Sequence, residues 1–192
     1  MTEELPNLFR GRLVRLRAHE PEDWETFWGH GVDTESSRAG YRIPPPQSAA
    51  AARKWAEEQA LQTDGDNRAY VIESNDGEVV GSLSTAQSDQ RNGIFWYGIG
   101  IFAEHRRRGY ASDAVRILLR YYFGELGYQK AHGEVYAFNA PSLVMHEQLG
   151  FVEEGRRRRT YRTGGRYFDE VLFGITAEEF AAANPEFAPH FE

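Results

Sequence analysis

Seven segments of the chain carry the short apolar runs and the β-branched or aromatic residues that are typical of strands. These predicted strands are Leu13–Arg17, Ala69–Glu73, Val79–Thr85, Ile94–Ile101, Lys130–Ala137, Phe151–Tyr161 and Tyr167–Ile175. Turn signals separate several of them: Asp76-Gly77 after the second strand, Asn92-Gly93 before the fourth, and Thr163-Gly164-Gly165 between the last two. Because such turns close tight hairpins, they predict antiparallel neighbours.

A helical period is clearest in the segment after the fourth strand. Apolar residues recur there at i, i+3, i+4, i+7, i+8 and i+11, which are Ala111, Ala114, Val115, Leu118, Leu119 and Tyr122. They share one face of a helix that Gly124 or Gly127 ends. The other predicted helices are Pro21–His30, a helix that Ser48 caps and that runs to about Thr63, and a short helix that Asn139 and Pro141 open and Gly150 closes.

The order of these elements, β-α-α-β-β-β-α-β-α-β-β, predicts an α/β fold. We expect one domain over residues 1–192, with its core at about residues 9–180 and a mixed, mostly antiparallel sheet of about seven strands flanked by about four helices. The proline- and alanine-rich stretch Ile43–Ala52 is interpreted as a stiff loop that leads into a helix, since proline-rich segments are extended and rigid.

Composition narrows the class of protein. Hydrophobic residues make up 41% and charged residues 27% of the 192 residues, and there is no cysteine, so a disulfide framework or a thiolate zinc site is excluded. No run of 18 apolar residues is present, which predicts a soluble, cytoplasmic protein without a membrane partner. The net charge of −7 argues against nonspecific binding to nucleic acid, despite the basic clusters Arg106–Arg108 and Arg156–Arg159.

The segment Arg106–Ala111 carries the clearest chemical signal. It lies between a predicted strand and the first turn of the amphipathic helix, where backbone N–H groups are free and the helix dipole is positive. Gly109 allows a close backbone approach, small Ala111 leaves room, and the arginines add donors to phosphate. The sequence therefore indicates a pyrophosphate cradle. A basic, solvated loop before an ordinary helix is the alternative, because the pattern is short.

Two other phosphate motifs fit less well. The loop lacks the Gly-Lys-Ser/Thr ending of a P-loop. Gly98, Gly100 and Ala103 have the spacing of a dinucleotide-binding fingerprint, but residues Glu104–Arg108 separate them from the helix, and such a fingerprint belongs to an early βαβ unit.

Two motifs of this chain resemble those of the GNAT superfamily of N-acetyltransferases. Arg106–Ala111 is similar to the family's R-x-x-G-x-G/A loop, and Asn139–Ser142 followed by Leu149–Phe151 is similar to its N-x-x-S…L-G-F signature. Within the superfamily the chain looks most like the ribosomal-protein N-terminal acetyltransferases, with spermidine acetyltransferases near them. The segments that carry this likeness lie between about residues 9 and 180: Gly11–Arg17, Pro21–Asp23, Gly150–Gly155 and Gly165–Asp169.

The resemblance implies a GNAT-like fold, acetyl-CoA as acyl-donor cosubstrate without a metal, a primary amine as acceptor, and a tendency to form homodimers. In relatives, the strand before the loop binds the pantetheine arm through its backbone, and one N–H holds the thioester oxygen. Here that strand end is Ile99, Gly100 and Ile101. The implied pyrophosphate contacts are Arg106, Arg107, Arg108, Gly109, Tyr110 and Ala111. Asn139 is an implied cofactor contact, which is compatible with a role as helix N-cap.

The resemblance also implies catalytic positions. Ser142 is one candidate acid for protonating the thiolate. His146 occupies the position where many relatives carry a tyrosine, and it is the second candidate; a surface or interface histidine is the alternative. Relatives often place a glutamate base where Trp96 stands here, and Trp96 cannot accept a proton. Glu134 on the neighbouring strand is the substitute candidate, with a water chain as the alternative.

We expect direct acetyl transfer, preferably to the α-amine of a protein or peptide, since an α-amine has a pKa of about 8 and needs less base assistance than a lysine-type amine. A small-molecule amine, such as a polyamine, an antibiotic or an amino-acid derivative, is the alternative acceptor, and a CoA-binding module without turnover is the rival class. The sequences of the expected acceptor loops, about residues 28–47 and 156–166, carry too little signal to decide which acceptor is used. Trp24, Trp28, Tyr41 and Trp96 are candidates for lining an aromatic acceptor pocket; packing in the core is the alternative and the more common role of such aromatics.

Overall fold

A mixed sheet runs through the computed structural model, which describes residues 7–40, 43–62 and 65–185. Within these residues the chain forms seven strands and six α-helices, and the strand order is β1-β2-β3-β4-β5-β7-β6. The elements are β1 (Val14–Arg17), α1 (Trp24–His30), α2 (Thr34–Ala39), α3 (Ala49–Ala60), β2 (Ala69–Ser74), β3 (Val79–Asp89), β4 (Ile94–Ile101), α4 (Tyr110–Gly124), β5 (Lys130–Tyr136), α5 (Ala140–Gln148), β6 (Val152–Thr163), β7 (Arg166–Thr176) and α6 (Ala177–Ala183).

The predicted hairpins are confirmed. Strands β1 to β4 form an antiparallel meander, and β5, β7 and β6 form a second antiparallel group. Gly77 (φ +85°) lies in the turn between β2 and β3. Gly164 and Gly165 (φ +53° and +76°) close the β6–β7 hairpin. Two consecutive left-handed residues match the right-handed twist of the flanking strands, and glycine adopts that conformation without a steric penalty.

The helix count differs from the prediction. The segment predicted as the helix Pro21–His30 is a turn of 3-10 helix over Pro21–Asp23 followed by α1. The expected total of about four helices is too low, because the apolar pattern predicts neither α2 nor α6. Both are short, and neither presents the long apolar stripe by which helices are found in a sequence. The Ser48 cap of α3 is confirmed, since its side chain accepts from the Ala51 N–H; the predicted end at Thr63 lies outside the described residues.

Helix α4 contributes the largest share of the core. Its predicted apolar face is confirmed, with Ala114, Val115, Leu118, Leu119 and Tyr122 each no more than 1% exposed. These side chains pack against the inward face of the sheet, where Phe95 of β4 stacks on Tyr122 at a centroid distance of 4.3 Å. Full burial of such side chains from water is the main force that holds helix and sheet together.

The sheet is covered unevenly. Four consecutive residues of β2, Val71–Ser74, are buried, so both faces of that strand are covered. Along β6, by contrast, only Tyr161 is buried. The half of the sheet around β6 therefore presents an open face. Among the described helices, none is long and apolar enough to cross a membrane.

Candidate active site

The central strands β4 and β5 separate before β4 ends. Their parallel pairing runs from Ile94–Lys130 to Tyr97–Gly133 and stops there, whereas β5 stays paired with β7 as far as Tyr136. The remainder of β4, Gly98–Ile101, pairs only with β3. Since every strand residue carries an N–H and a C=O, the open edge of β4 presents unpaired backbone groups to the gap. A pocket of about 240 Å³ occupies the gap, between β4, β5, α5 and the end of α2.

The loop that follows β4 has the backbone of an anion cradle. Arg107 (φ +60°) and Gly109 (φ +83°) are left-handed, with Arg108 between them in an ordinary conformation. Such alternation turns successive N–H groups towards one point, and the first turn of α4, which begins at Tyr110, adds further free N–H groups and a positive dipole end. The loop is therefore suited to a diphosphate through its backbone.

The arginines of this loop do not all point freely into solvent. The Arg106 Nε donates to the Ile101 carbonyl at 3.1 Å, and its Nη2 bonds the Ser36 hydroxyl of α2. The Arg108 guanidinium donates to the Glu104 carbonyl at 3.2 Å. The three residues Arg106–Arg108 are all exposed. Their charges thus stay near the cradle, and Arg106 also connects α2 to the loop.

On the other side of the gap, α5 brings Asn139, Ser142 and His146 to the pocket. Asn139 is the N-cap, because its Oδ1 accepts from the Ser142 N–H at 3.4 Å. His146 is not a surface residue: it is 3% exposed, and its Nδ1 lies 2.8 Å from the Ser142 carbonyl and 3.5 Å from the Ser142 hydroxyl. Burial lowers the pKa of His146, and the bond to the carbonyl opposes that shift only in part.

Tyr97 is a site residue that the sequence did not reveal. It is the last residue of β4 that pairs with β5, and its hydroxyl lies 2.8 Å from the His146 Nε2. Burial raises the pKa of Tyr97, so its hydroxyl stays protonated. A tyrosine inside an apolar strand is ordinarily a core residue, and its partner is 49 positions away, so no local pattern signals the contact.

The predicted base candidate, Glu134, takes part in an ion-pair network. Its Oε1 accepts from the Arg157 Nη1 at 3.0 Å, and the same nitrogen donates to the Glu170 Oε2 at 3.0 Å. Glu134 and Glu170 both line the pocket, while the Arg157 side chain is 50% exposed. The lining of the pocket therefore carries two carboxylates bridged by one guanidinium.

Comparisons with known proteins agree with this geometry. A family model described as an acetyltransferase (GNAT) domain matches residues 13–152. The chain belongs to the GNAT acetyltransferase family. The SPbeta prophage-derived uncharacterized N-acetyltransferase YokL of Bacillus subtilis is 38% identical over 170 residues, which cover 88% of this chain and 93% of YokL.

Solved GNAT structures share the fold. A GCN5-related N-acetyltransferase from Brucella melitensis has a TM-score of 0.78 at 24% identity, covering 94% of this chain and 83% of that one. The spermidine N-acetyltransferase from Vibrio cholerae in complex with CoA and spermine has a TM-score of 0.77 at 22% identity, covering 87% and 97%. The protein is accordingly an acetyl-CoA-dependent N-acetyltransferase with an amine acceptor.

As expected, the dinucleotide fingerprint has no structural counterpart in this GNAT enzyme. Gly98 and Gly100 lie inside β4, and the next α-helix begins only at Tyr110. Within the described residues, no group of three or more histidine, aspartate and glutamate side chains could hold a metal ion.

The described tryptophans that were candidates for an aromatic acceptor pocket lie outside the pocket in the gap. The rings of Trp24 and Trp28 pack in a tilted arrangement at a centroid distance of 5.9 Å, and the Trp28 Nε1 donates to the Gln47 carbonyl. Trp96 stacks on His132 at 4.3 Å. None of these three lines the pocket in the gap, and Tyr41 lies outside the described residues. The three tryptophans instead pack against neighbouring side chains outside the pocket.

A larger cleft of about 680 Å³ lies elsewhere, between the N-terminal segment, the flank of α4 and the end of α6. It is rimmed by Arg10, Arg12, Arg116 and Arg120 and shares Gly109 with the cradle. We assign the chemistry to the smaller pocket, since the unpaired strand edge and the cluster around His146 are there.

Proposed function

We propose that this enzyme acetylates the α-amine of a peptide or protein N-terminus. The observation that carries the proposal is the net charge of the side chains at the pocket. Glu134 and Glu170 are bridged by Arg157, so the three side chains together hold one net negative charge. One such charge matches a single ammonium group. A polyamine carries several positive charges and would be better served by carboxylates without an arginine between them.

The cosubstrate is proposed to bind along the gap and the loop after β4. The backbone of Ile99, Gly100 and Ile101 would hold the pantetheine arm and the thioester oxygen. The segment Arg106–Ala111 would hold the diphosphate, with Asn139 as a further contact. The unpaired edge of β4 and the left-handed residues of the loop support this assignment. A fixed N–H at the thioester oxygen would stabilise the negative charge that develops there.

The proposed proton donors to the CoA thiolate are Ser142 and His146, and the proposed base is Glu134. All three line the pocket, which supports these roles. Trp96, at the position where relatives often carry a glutamate, stacks on His132 and has no carboxylate with which to accept a proton. An acceptor with an amine pKa near 8 would reduce the need for a strong base. The expectation of a homodimer stays a prediction.

A polyamine is the second candidate acceptor. The Vibrio cholerae structure of similar fold holds CoA and spermine, and it is a spermidine N-acetyltransferase. At 22% identity this likeness concerns the fold, so the acceptor has to be measured.

The test compares kcat/KM for three acceptors with acetyl-CoA in excess: a peptide with a free N-terminus, the same peptide N-blocked but containing lysine, and spermidine. We expect the free N-terminus to be preferred by at least about tenfold, which corresponds to about 1.4 kcal/mol. Preference for spermidine or for the blocked peptide would overturn the α-amine proposal. The control for hydrolysis of acetyl-CoA is thiol release measured without any acceptor. A CoA-binding module without turnover would release no thiol with any of the amines.

A further inference from the structure

Tyr97 and His146 form a hydrogen-bonded pair at the base of the gap, and the proposed acyl transfer gives Tyr97 no role. The two side chains are 8% and 3% exposed, yet both line the pocket. A buried hydroxyl bonded to a buried imidazole is a route by which a proton can leave a pocket without passing through solvent.

The position of the imidazole proton follows from the partners of His146. Its Nδ1 lies 2.8 Å from the Ser142 carbonyl, and a carbonyl oxygen only accepts, so Nδ1 carries the hydrogen. Burial lowers the pKa of the ring, so the neutral form prevails and Nε2 has a free lone pair. The Tyr97 hydroxyl therefore donates to Nε2. In this state His146 is ready to receive a proton.

The surroundings of the ring keep this arrangement in place. Phe173 stacks on the imidazole at 5.1 Å and Phe151 packs edge-on at 5.0 Å. Gly133 of β5 leaves the space in which the bond forms, because a Cβ there would come within 2.7 Å of the His146 Nε2. The ring thus has one orientation, with Nε2 directed at Tyr97.

We propose that Tyr97 is a catalytic residue that relays a proton between the reacting atoms and His146. The proposal rests on the proposed acetyl transfer to an amine. As the N–C bond forms, the proton that the amine nitrogen loses passes to the Tyr97 Oη, whose own proton moves to the His146 Nε2. As the C–S bond breaks, Tyr97 gives the amine-derived proton to the CoA sulfur and recovers its own proton from the His146 Nε2. No proton is gained or lost by the pair over the cycle.

The direction of the return step follows from acid strengths. A thiol has a pKa of about 8.5. A protonated His146, whose pKa lies below its ordinary value of 6.5, is the stronger acid, so transfer to the thiolate is downhill. One pair thus serves first as base and then as acid, which reduces the demand on Glu134 and Ser142.

The kinetic test uses Tyr97→Phe, His146→Phe and the double variant, which keep the aromatic packing. We expect each single variant to lower kcat by about 10²-fold, a usual contribution of a proton-transfer group, with the acetyl-CoA Kd by calorimetry unchanged. Because the two groups act as a unit, the double variant should lose no more than either single one. Full turnover in Tyr97→Phe, or additive losses in the double variant, would overturn the relay.

Tyr128→Phe is the matched control, since it removes another buried tyrosine hydroxyl bond, to Asp66, outside the pocket. Its kcat should be unchanged. A readout that needs no turnover is ring ¹⁵N NMR of His146 at a pH of about 7.5, above the ordinary histidine pKa. We expect the neutral tautomer with hydrogen on Nδ1; hydrogen on Nε2 would overturn the relay. If wild-type protein acetylates no amine while this tautomer is found, the proposed acceptor chemistry fails and the hydrogen-bonded pair stands.

Discussion

At the scale of single residues, Gly109 combines a left-handed backbone with a place in the anion cradle. An alanine there strains the backbone by about 1–2 kcal/mol, and its Cβ would lie 3.1 Å from the Leu13 Cδ1, so the backbone N–H groups of the loop would have to shift. We expect Gly109→Ala to weaken acetyl-CoA binding at least about tenfold, as measured by calorimetry. Gly127→Ala is the matched control, because Gly127 is also left-handed (φ +71°) and no atom of another residue lies within 4 Å of the position that a Cβ would take there. Equal affinity losses in both variants would remove the cradle assignment.

The residues of the site differ in how far the sequence reveals them. The cradle has a local signature, because a basic run, a glycine and a small residue come together just before a helix. Ser142 and His146 could be related by their i, i+4 spacing on one helix. Tyr97 and Glu170 could not be predicted as site residues from the sequence, since each reaches the pocket through the packing of strands that are distant in sequence. The resemblance to relatives that carry a tyrosine at the position of His146 identifies this residue but predicts neither its burial nor its tautomer.

At the scale of elements, α2 connects one wall of the pocket to the loop that follows β4. Its last turn is held by the β6–β7 hairpin: the Tyr161 hydroxyl donates to the Arg38 carbonyl at 3.0 Å, and Arg38 donates to the Thr163 hydroxyl at 3.0 Å. The next residues, Ala39 and Gly40, line the pocket. The hairpin thereby helps to hold this wall of the pocket in place.

Tyr161→Phe removes one of these bonds without changing the ring. We expect the KM for the amine to rise several-fold, since the wall of the pocket is less well fixed, while the acetyl-CoA Kd changes less than about twofold. Steady-state kinetics at saturating acetyl-CoA checks this. Tyr167→Phe on the same hairpin, where the side chain is 53% exposed, is the control and should leave KM unchanged. An unchanged KM in Tyr161→Phe would show that the hairpin does not position the wall.

Strands and long helices were predictable because their apolar periods extend over many residues, and α4 is the clearest case. The two missed helices differ in kind. Helix α2 has six residues and no buried side chain, so its only local signal is the Asp33 cap. Helix α6 carries a capping box between Thr176 and Glu179, a pattern that can be detected in a sequence. The separation of β4 from β5 has no sequence signal of its own.

At the scale of the whole molecule, buried histidines make folding sensitive to acid. Burial is the main cause that lowers the pKa of His19, His132 and His146. A group whose pKa is lower in the folded than in the unfolded state contributes fully to stability above its unfolded-state pKa. That contribution is lost as the pH falls through its folded-state pKa. Stability should therefore decline as pH drops from 6.5 downward.

Thermal unfolding between about pH 7.5 and about pH 5.5, a range that spans the ordinary histidine pKa, measures this decline. We expect Tm to fall as the pH is lowered over that range. In His146→Phe the fall in Tm should be smaller by the contribution of that one histidine. The carboxylates Asp23 and Glu73 act in a lower window. Burial raises their pKa values, but Arg17 together with the Glu20 N–H at Asp23, and Arg17 together with Arg15 at Glu73, leave both pKa values lowered. Their contribution is therefore lost only at more acidic pH. A Tm that is flat or rises on acidification would contradict the histidine assignment.

With acetyl-CoA bound along the gap between β4 and β5, as proposed, the supply of acyl donor would also affect the lifetime of the protein in a cell. The open edge of Gly98–Ile101 lies in the middle of the sheet, where a broken ladder favours local opening. An extended ligand seated along that edge would close it, and at a concentration of about 100 times its Kd it would stabilise the folded state by about 2.7 kcal/mol. A cell rich in acetyl-CoA would then keep the enzyme folded and out of reach of proteases, whereas starvation would expose it to turnover.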